Sequence, residues 1–106
     1  MNSQQTLQRL TEILEQRKTA SVEESYVASL YASGLEKILD KINEETLEVI
    51  EAAREDNAEH LIHEVADLWF HCMVLLAEKN LSHEQVLEEL DKRFGISGLV
   101  EKAQRT

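Results

Sequence analysis

The chain has 106 residues, no proline and three glycines, and it is rich in residues that favour helices. Eleven lysines and arginines stand against 21 aspartates and glutamates, a formal net charge of −10 that disfavours binding to nucleic acid or to an anionic membrane surface. We therefore expect one all-α domain over residues 1–106, built as a small helical bundle of four to five helices. The single cysteine fits a reducing compartment and the N-terminal segment lacks a signal-peptide pattern, so a cytoplasmic protein is expected.

Apolar periodicity and capping residues predict the helices in chain order. They run from an N-cap at Ser3 to near Lys18, from Tyr26 to Ser33, from Leu35 to Glu55, from Ala58 to Lys79 and from His83 to Phe94. Gly34 ends the second helix and Gly95 ends the last. In the last helix, Val86, Leu87 and Leu90 are predicted to point inward, and the residues after Gly95 form a tail that can fold back.

The fourth helix contains the apolar run LWFHCMVLLA, in which His71 is the only polar residue. On a helical wheel its main apolar stripe consists of Val65, Trp69, Met73 and Leu76, whereas Glu64, Asp67, His71 and Glu78 form a stripe on another side. The run is too short to cross a bilayer. So few helices cannot cover all of its apolar faces, which predicts a bundle completed by dimerisation into a homodimer.

Paired carboxylates occur on the two longest helices. Glu45 and Glu48 have E-x-x-E spacing at the edge of the apolar face of the third helix, and Glu64 and Asp67 have E-x-x-D spacing on the fourth, so each pair is about one turn apart. Two antiparallel helices would bring all four together, where unpaired charges repel one another and need a cation. An all-oxygen set favours Mg²⁺, Mn²⁺ or Ca²⁺, and Mg²⁺ leaves positions open to phosphates. The pattern thus predicts a metal site for a phosphorylated ligand, although such spacings also arise by chance on solvated helices.

Other metal motifs are absent from the sequence. No E-x-x-H spacing precedes any of the four histidines, which argues against a di-iron bundle. His71 is expected to be a core histidine whose hydrogen bonds are satisfied rather than a ligand.

These residues resemble a known family. "EETLE", with Glu44, Glu45 and Glu48, followed by Glu64 and Asp67 in "HEVAD", is similar to the E-E-x-x-E and E-x-x-D signature of the MazG-like all-α nucleoside triphosphate pyrophosphatases. The segments "SYVASLYASGLEKILDKINEE", "ADLWFH" and "RFGISGLVEKA" narrow the resemblance to the phosphoribosyl-ATP pyrophosphohydrolases of histidine biosynthesis. Asn43 departs from the family, which often has glycine there.

The resemblance implies Mg²⁺-dependent hydrolysis of phosphoribosyl-ATP to phosphoribosyl-AMP and pyrophosphate, by a cut between the α and β phosphates. It implies catalytic roles for Glu44, Glu45, Glu48, Glu64 and Asp67, of which all but the outward-turned Glu44 would be metal ligands. Candidates to meet the substrate phosphates are Lys37, Lys41, Arg93 and Lys102, each of which is otherwise a solvated surface charge.

Two other functions stay open at this point. A house-cleaning pyrophosphatase for non-canonical nucleoside triphosphates would use the same acidic site with a different base pocket. A non-catalytic helical interaction module would instead pair the acidic stripe with a basic partner, and it need not be stabilised by Mg²⁺.

Overall fold

A computed structural model describes residues 2–94 of the protein. Over that range the chain is all-α, without a strand, which confirms the predicted fold class. The helices are α1 (Ser3–Gln16), α2 (Tyr26–Ser33), α3 (Leu35–Arg54), α4 (Ala58–Glu78) and α5 (His83–Asp91), with a short 3₁₀ turn at Arg17–Thr19 after α1. The predicted tail after Gly95, which includes Lys102, lies outside the described residues.

The bounds of α2, α3 and α4 lie within one residue of the predicted ones, and side-chain caps begin α2 and α4. The Ser25 hydroxyl accepts a hydrogen bond from the Ala28 N–H at 3.1 Å, and the Asn57 side chain accepts one from the His60 N–H at 3.1 Å. Gly34 both ends α2 and begins α3, with φ of 96°, a backbone conformation that residues with a Cβ rarely adopt. The sharp break between α2 and α3 therefore depends on glycine.

The outer ends of α1 and α5 differ from the predictions. Asn2, not Ser3, caps α1, because Gln5 stands at the position that completes a capping box: the Asn2 side chain accepts from the Gln5 N–H at 2.9 Å, and the Gln5 side chain accepts from the Asn2 N–H at 2.8 Å. Helix α5 ends at Asp91, and a turn takes the chain on to Phe94.

The helices α3 and α4 form an antiparallel hairpin whose two ends differ in character. At one end, the start of α3 packs on the second half of α4, where α1 and α2 complete the apolar core. The fully or nearly fully buried members of this core are Leu14, Val27, Leu30, Ile38, Met73 and Val74. The Tyr31 hydroxyl donates to the Leu14 carbonyl at 3.0 Å, which ties α2 to α1, and burial raises the pKa of Tyr31 to about 12. The connection between α3 and α4 lies at the other end.

The first half of the predicted apolar stripe on α4 is exposed in the single chain. On α4, Trp69 of the main stripe is 63% exposed and Ile62 beside it is 69% exposed, whereas Met73 further along is buried. Only the second half of the stripe therefore reaches the core.

None of the helices in residues 2–94 is long and apolar enough to span a membrane.

The inward orientation predicted for α5 is wrong in the single chain. Val86, Leu87 and Leu90 are all exposed. Helix α5 is held instead through its first residue, because the buried His83 ring pairs through Nδ1 with the Thr11 hydroxyl of α1 at 2.8 Å.

The cap of α4 gives a test of this fold. Asn57→Ala should lower the free energy of unfolding by about 1 kcal/mol, because the N-terminal N–H groups of α4 lose their side-chain acceptor. Asn43→Ala is the matched control, since Asn43 is exposed within α3 and alanine is the better helix former. Urea unfolding at one fixed protein concentration measures both, and equal destabilisation by the two substitutions would contradict the assignment of Asn57 as the cap.

Candidate active site

Three carboxylates meet across the α3–α4 hairpin. Glu45 and Glu48 come from α3 and Glu64 from α4, and one oxygen from each lies within 4.8 Å of the other two. We call these three residues the acidic cluster. Glu45 and Glu64 are each only 7% exposed, whereas Glu48 is exposed at the edge. The cluster is thus buried on one side and open to solvent on the other.

The position of Glu45 is more interior than the sequence indicates. The wheel places it at the edge of an apolar face that runs from Ile38 towards Ala53. In the structure the buried residues of α3 are Ile38, Glu45 and Ala52, while Leu39 and Ala53 are exposed. Glu45 therefore lies in the middle of the face that packs on α4, because that face is rotated towards the carboxylates relative to the apolar residues.

The acidic cluster contains two buried oxygens that no donor within residues 2–94 satisfies. Among the described residues, Oε2 of Glu45 and Oε2 of Glu64 are buried without a hydrogen-bond partner. Burial raises the pKa of Glu45, and Glu48 and Asp67 raise it further. A hydrogen bond with Glu48, then burial and the charges of Glu48, Glu45 and Asp67, raise the pKa of Glu64. Buried carboxylates with free oxygens and mutual repulsion fit a divalent cation bound by oxygen ligands.

Asp67 lies in a neighbouring group that shares Glu64. One ligand atom each from His63, Glu64 and Asp67 lie within 4.8 Å of one another, and His63 Nε2 is 3.4 Å from Asp67 Oδ2. The structure therefore groups the four predicted carboxylates as two sets around Glu64 rather than at one point. The second set adds an imidazole nitrogen, a donor that suits transition metals such as Fe²⁺, Ni²⁺ or Zn²⁺ better than Mg²⁺.

Glu44 is turned away from the acidic cluster, as the wheel predicts. Its side chain is exposed and accepts a hydrogen bond from the Lys41 ammonium at 2.8 Å, which lowers the pKa of Glu44. Lys37 is exposed on the same helix and also lowers the pKa of Glu44 through its charge. A basic edge formed by Lys37 and Lys41 thus borders the carboxylates.

The structure does not place Arg93 or Lys102, the other two predicted phosphate contacts, beside the acidic cluster. Arg93 follows the end of α5 and is 3.5 Å from Glu89 of that helix. Lys102 lies outside the described residues.

His60 adds a contact to Glu64 that sequence reasoning missed. His60 Nδ1 is 2.7 Å from Glu55 Oε2 and His60 Nε2 is 3.4 Å from Glu64 Oε1, and the bond to Glu55 is the main cause of the raised pKa of His60. The i,i+4 spacing of His60 and Glu64 is the signal that could have found the second contact. His60 therefore links the turn after α3 to a carboxylate of the acidic cluster.

Tyr26 is a second residue that was missed, and it pairs with His71. His71 is buried, with Nδ1 2.8 Å from the Asp67 carbonyl oxygen and Nε2 2.8 Å from the Tyr26 hydroxyl. Both ring nitrogens are thus hydrogen-bonded, which confirms the expectation of a satisfied core histidine. No sequence signal joins Tyr26 to a residue 45 positions away.

A helical hairpin with buried glutamates on both facing helices is an arrangement that suits an all-α nucleotide pyrophosphatase. A family model described as phosphoribosyl-ATP pyrophosphohydrolase matches residues 7–94, and the chain belongs to this family.

Curated relatives agree with that family over nearly their whole lengths. A phosphoribosyl-ATP pyrophosphatase of Methylococcus capsulatus is 57% identical over 99 residues, which cover 93% of this chain and 94% of the relative. Proteins of the same name from Ruthia magnifica and Vesicomyosocius okutanii are 54% and 53% identical, each over 97 residues that cover 92% of both chains compared.

The buried charge of Glu45 can be tested without an activity assay. Glu45→Gln should raise the melting temperature in the presence of a chelator by at least ~2 °C, because a buried, repelled carboxylate is removed. The same substitution should abolish the rise in melting temperature on addition of Mg²⁺ or Mn²⁺, because a ligand charge is lost. Both effects can be followed by calorimetry.

Glu51→Gln is the matched control, since Glu51 is exposed on α3. It should leave both melting temperatures at the wild-type values. A Glu45→Gln protein that keeps the full metal-induced rise would show that the cation does not bind at the acidic cluster.

Proposed function

We propose that the protein hydrolyses phosphoribosyl-ATP to phosphoribosyl-AMP and pyrophosphate, an early step of histidine biosynthesis, with Mg²⁺ held by Glu45, Glu48, Glu64 and Asp67. Family membership and the names of the relatives support the reaction. The observation that carries the metal is the pair of buried oxygens on Glu45 and Glu64 that have no partner in residues 2–94. A bound divalent cation would neutralise charge on the phosphate chain and lower the pKa of a coordinated water.

The glutamates of this site are proposed to have different roles in metal binding and proton transfer. Glu45 and Glu64 are fixed by burial between α3 and α4, so they would hold a cation with little loss of conformational entropy. Glu48 is exposed at the edge, where one of its oxygens can accept a proton from an attacking water. We leave Glu44 as a weaker member of the catalytic set, since its exposed carboxylate orients Lys41.

The basic edge offers local positive charge to a substrate that the overall negative charge of the protein repels. A net charge of −10 repels a triphosphate. Lys41 is half-buried, and its hydrogen bond to Glu44 raises the pKa of its ammonium, so the positive charge persists beside the acidic cluster. We propose that Lys41 and Lys37 contact the phosphates, and that Arg93 and Lys102 have weaker claims.

We also propose that the protein acts in the cytoplasm as a homodimer and binds neither nucleic acid nor membrane lipid. The half-buried free Cys72 fits a reducing compartment. Support for the dimer comes from four large apolar residues of α3 and α4 that are exposed in the single chain: Leu47, Ile50, Ile62 and Trp69. Exposed apolar surface of this extent is typical of an interface.

The products and the substrate preference test the reaction. With Mg²⁺ present, phosphorus NMR should show intact pyrophosphate as the first product, because the acidic cluster and the basic edge hold the phosphate chain in one register. The value of kcat/KM for phosphoribosyl-ATP should exceed that for ATP by about 100-fold, a difference of roughly 3 kcal/mol in transition-state binding.

The same assay distinguishes the alternatives. Faster turnover of dCTP or dUTP than of phosphoribosyl-ATP would favour a house-cleaning pyrophosphatase. The absence of pyrophosphate from every nucleotide tested would favour the interaction module.

The dimer is tested by a charge on the exposed stripe of α4. Trp69→Lys should convert a dimer into a monomer at micromolar concentration in sedimentation velocity, because burying an unpaired ammonium in an apolar interface is costly. Val22→Lys is the control, since Val22 is exposed in the turn before α2. A wild-type protein that sediments as a folded monomer would contradict the proposal.

A further inference from the structure

The two hydrogen bonds of His71 determine which atom donates the hydrogen between His71 and Tyr26. The Asp67 carbonyl oxygen can only accept, so the Nδ1 atom that lies 2.8 Å from it must carry a hydrogen. In the neutral form of the ring, Nε2 is then an acceptor. The Tyr26 hydroxyl, 2.8 Å from Nε2, must therefore donate its hydrogen to His71.

Packing holds Tyr26 in this arrangement. Tyr26 is the first residue of α2, directly after the Ser25 cap, so the helix end sets its backbone. Its ring meets the His71 ring edge to face, with centroids 5.9 Å apart and planes at 81°, and Phe70 packs against His71 in the same manner at 5.3 Å. The buried His71 thus positions a tyrosine that is itself 51% exposed.

Tyr26 stands at the border between the acidic cluster and the basic edge. Lys41, Glu45, Glu44 and Asp67 are all close enough to act on its ionisation: burial and the carboxylates raise the pKa of Tyr26, and Lys41 opposes them. The phenol therefore stays protonated near neutral pH. The Lys41 ammonium already donates to Glu44 at 2.8 Å, and His71 is the hydrogen-bond partner found for the Tyr26 hydroxyl within residues 2–94.

Because the Tyr26 hydroxyl donates its hydrogen to His71, the groups that its oxygen can bind are limited. With its own hydrogen donated to His71, the phenolic oxygen offers only lone pairs to the site. The oxygens of an ionised phosphate are also acceptors, so they cannot be its partner. The partner must carry a hydrogen. At the phosphate chain of a nucleotide such groups are the O–H groups of the attacking water and of the substrate sugars, since the N–H groups of the base lie away from the phosphates.

We infer that the Tyr26 oxygen accepts a hydrogen bond from an O–H group of the reacting complex at the acidic cluster, and that His71 is the positioning residue that orients this oxygen. The inference rests on the proposed function, because it requires a nucleotide at the cluster. It assigns to His71 a role through Tyr26 alone. Loss of His71 should therefore matter for turnover only while the Tyr26 hydroxyl is present.

The test is a double-mutant cycle at about pH 8, above the ordinary titration range of imidazole. Tyr26→Phe, His71→Leu and the double variant are assayed with phosphoribosyl-ATP and Mg²⁺, and Mn²⁺ affinity is measured by electron paramagnetic resonance without substrate. Tyr31→Phe is the matched control: it removes the other tyrosine hydroxyl of α2, which serves α1 and not the site.

We expect Tyr26→Phe to lower kcat/KM by about tenfold, the effect of one hydrogen bond made in the transition state, with Mn²⁺ affinity unchanged. His71→Leu should cause a similar loss in the wild-type background and less than about a twofold further loss in the Tyr26→Phe background. Tyr31→Phe should lower the melting temperature and leave kcat/KM unchanged. If His71→Leu does not fold, Tyr26→Phe against Tyr31→Phe still decides.

The kinetic constants identify the O–H donor. A fall in kcat at constant KM indicates the attacking water, whereas a rise in KM at constant kcat indicates a sugar hydroxyl. The inference is overturned if Tyr26→Phe keeps both constants within about twofold of wild type, if it weakens Mn²⁺ binding, or if Tyr31→Phe loses as much activity. A wild-type protein that does not hydrolyse phosphoribosyl-ATP would overturn the proposed function instead, so the two failures are distinguishable.

Discussion

The structure depends on two buried carboxylates of the α3–α4 hairpin, Glu45 and Glu64, each of which has one oxygen without a hydrogen-bond partner among residues 2–94. Their burial disfavours the ionised forms, and Glu48 and Asp67 nearby add to the repulsion. A fold pays for such an arrangement only where other contacts hold the helices together. A cation bound between the helices would turn this cost into an attraction, and folding and metal binding would then be coupled at the same residues.

The apolar contacts that hold α3 and α4 together lie at the end of the hairpin away from the connection between the two helices. Ile38 at the start of α3 packs with Met73 and Val74 in the second half of α4, and α1 and α2 cover that end. Near the connection between α3 and α4, His60 bridges Glu55 and Glu64. The carboxylates are therefore held between an apolar core on one side and an ion-paired turn on the other, which restricts how far the two helices can separate.

Much of the fold follows from local signals in the sequence. Apolar periodicity and the turn at Gly34 define α2, α3 and α4 within one residue of their observed ends, whereas the caps at Ser25 and Asn57 come from the structure. The spacing of Glu45 with Glu48 and of Glu64 with Asp67 also locates the carboxylates, because helical geometry alone puts each pair on one face. Local rules succeed here because each of these features is decided within about one helical turn.

Features that depend on which helices pack together could not be obtained in the same way. The buried face of α3 is centred on Glu45 because that face is the one that packs on α4, which no wheel of a single helix reveals. The exposure of Trp69 and of Leu90 reflects helices that lack a neighbour in the single chain. The pairing of Tyr26 with His71 joins residues far apart in sequence, so it required the tertiary structure.

The most direct measurement of the central claim is anomalous diffraction from crystals grown with Mn²⁺. The account predicts a manganese peak between α3 and α4, coordinated by carboxylate oxygens of Glu45, Glu48, Glu64 and Asp67. The cleft between α1 and the start of α5, lined by Glu12 and Glu15, provides an internal comparison, since its acidic side chains are exposed. A peak only in that cleft, or an empty hairpin at saturating Mn²⁺, would contradict the claim that the buried carboxylates exist to hold a cation.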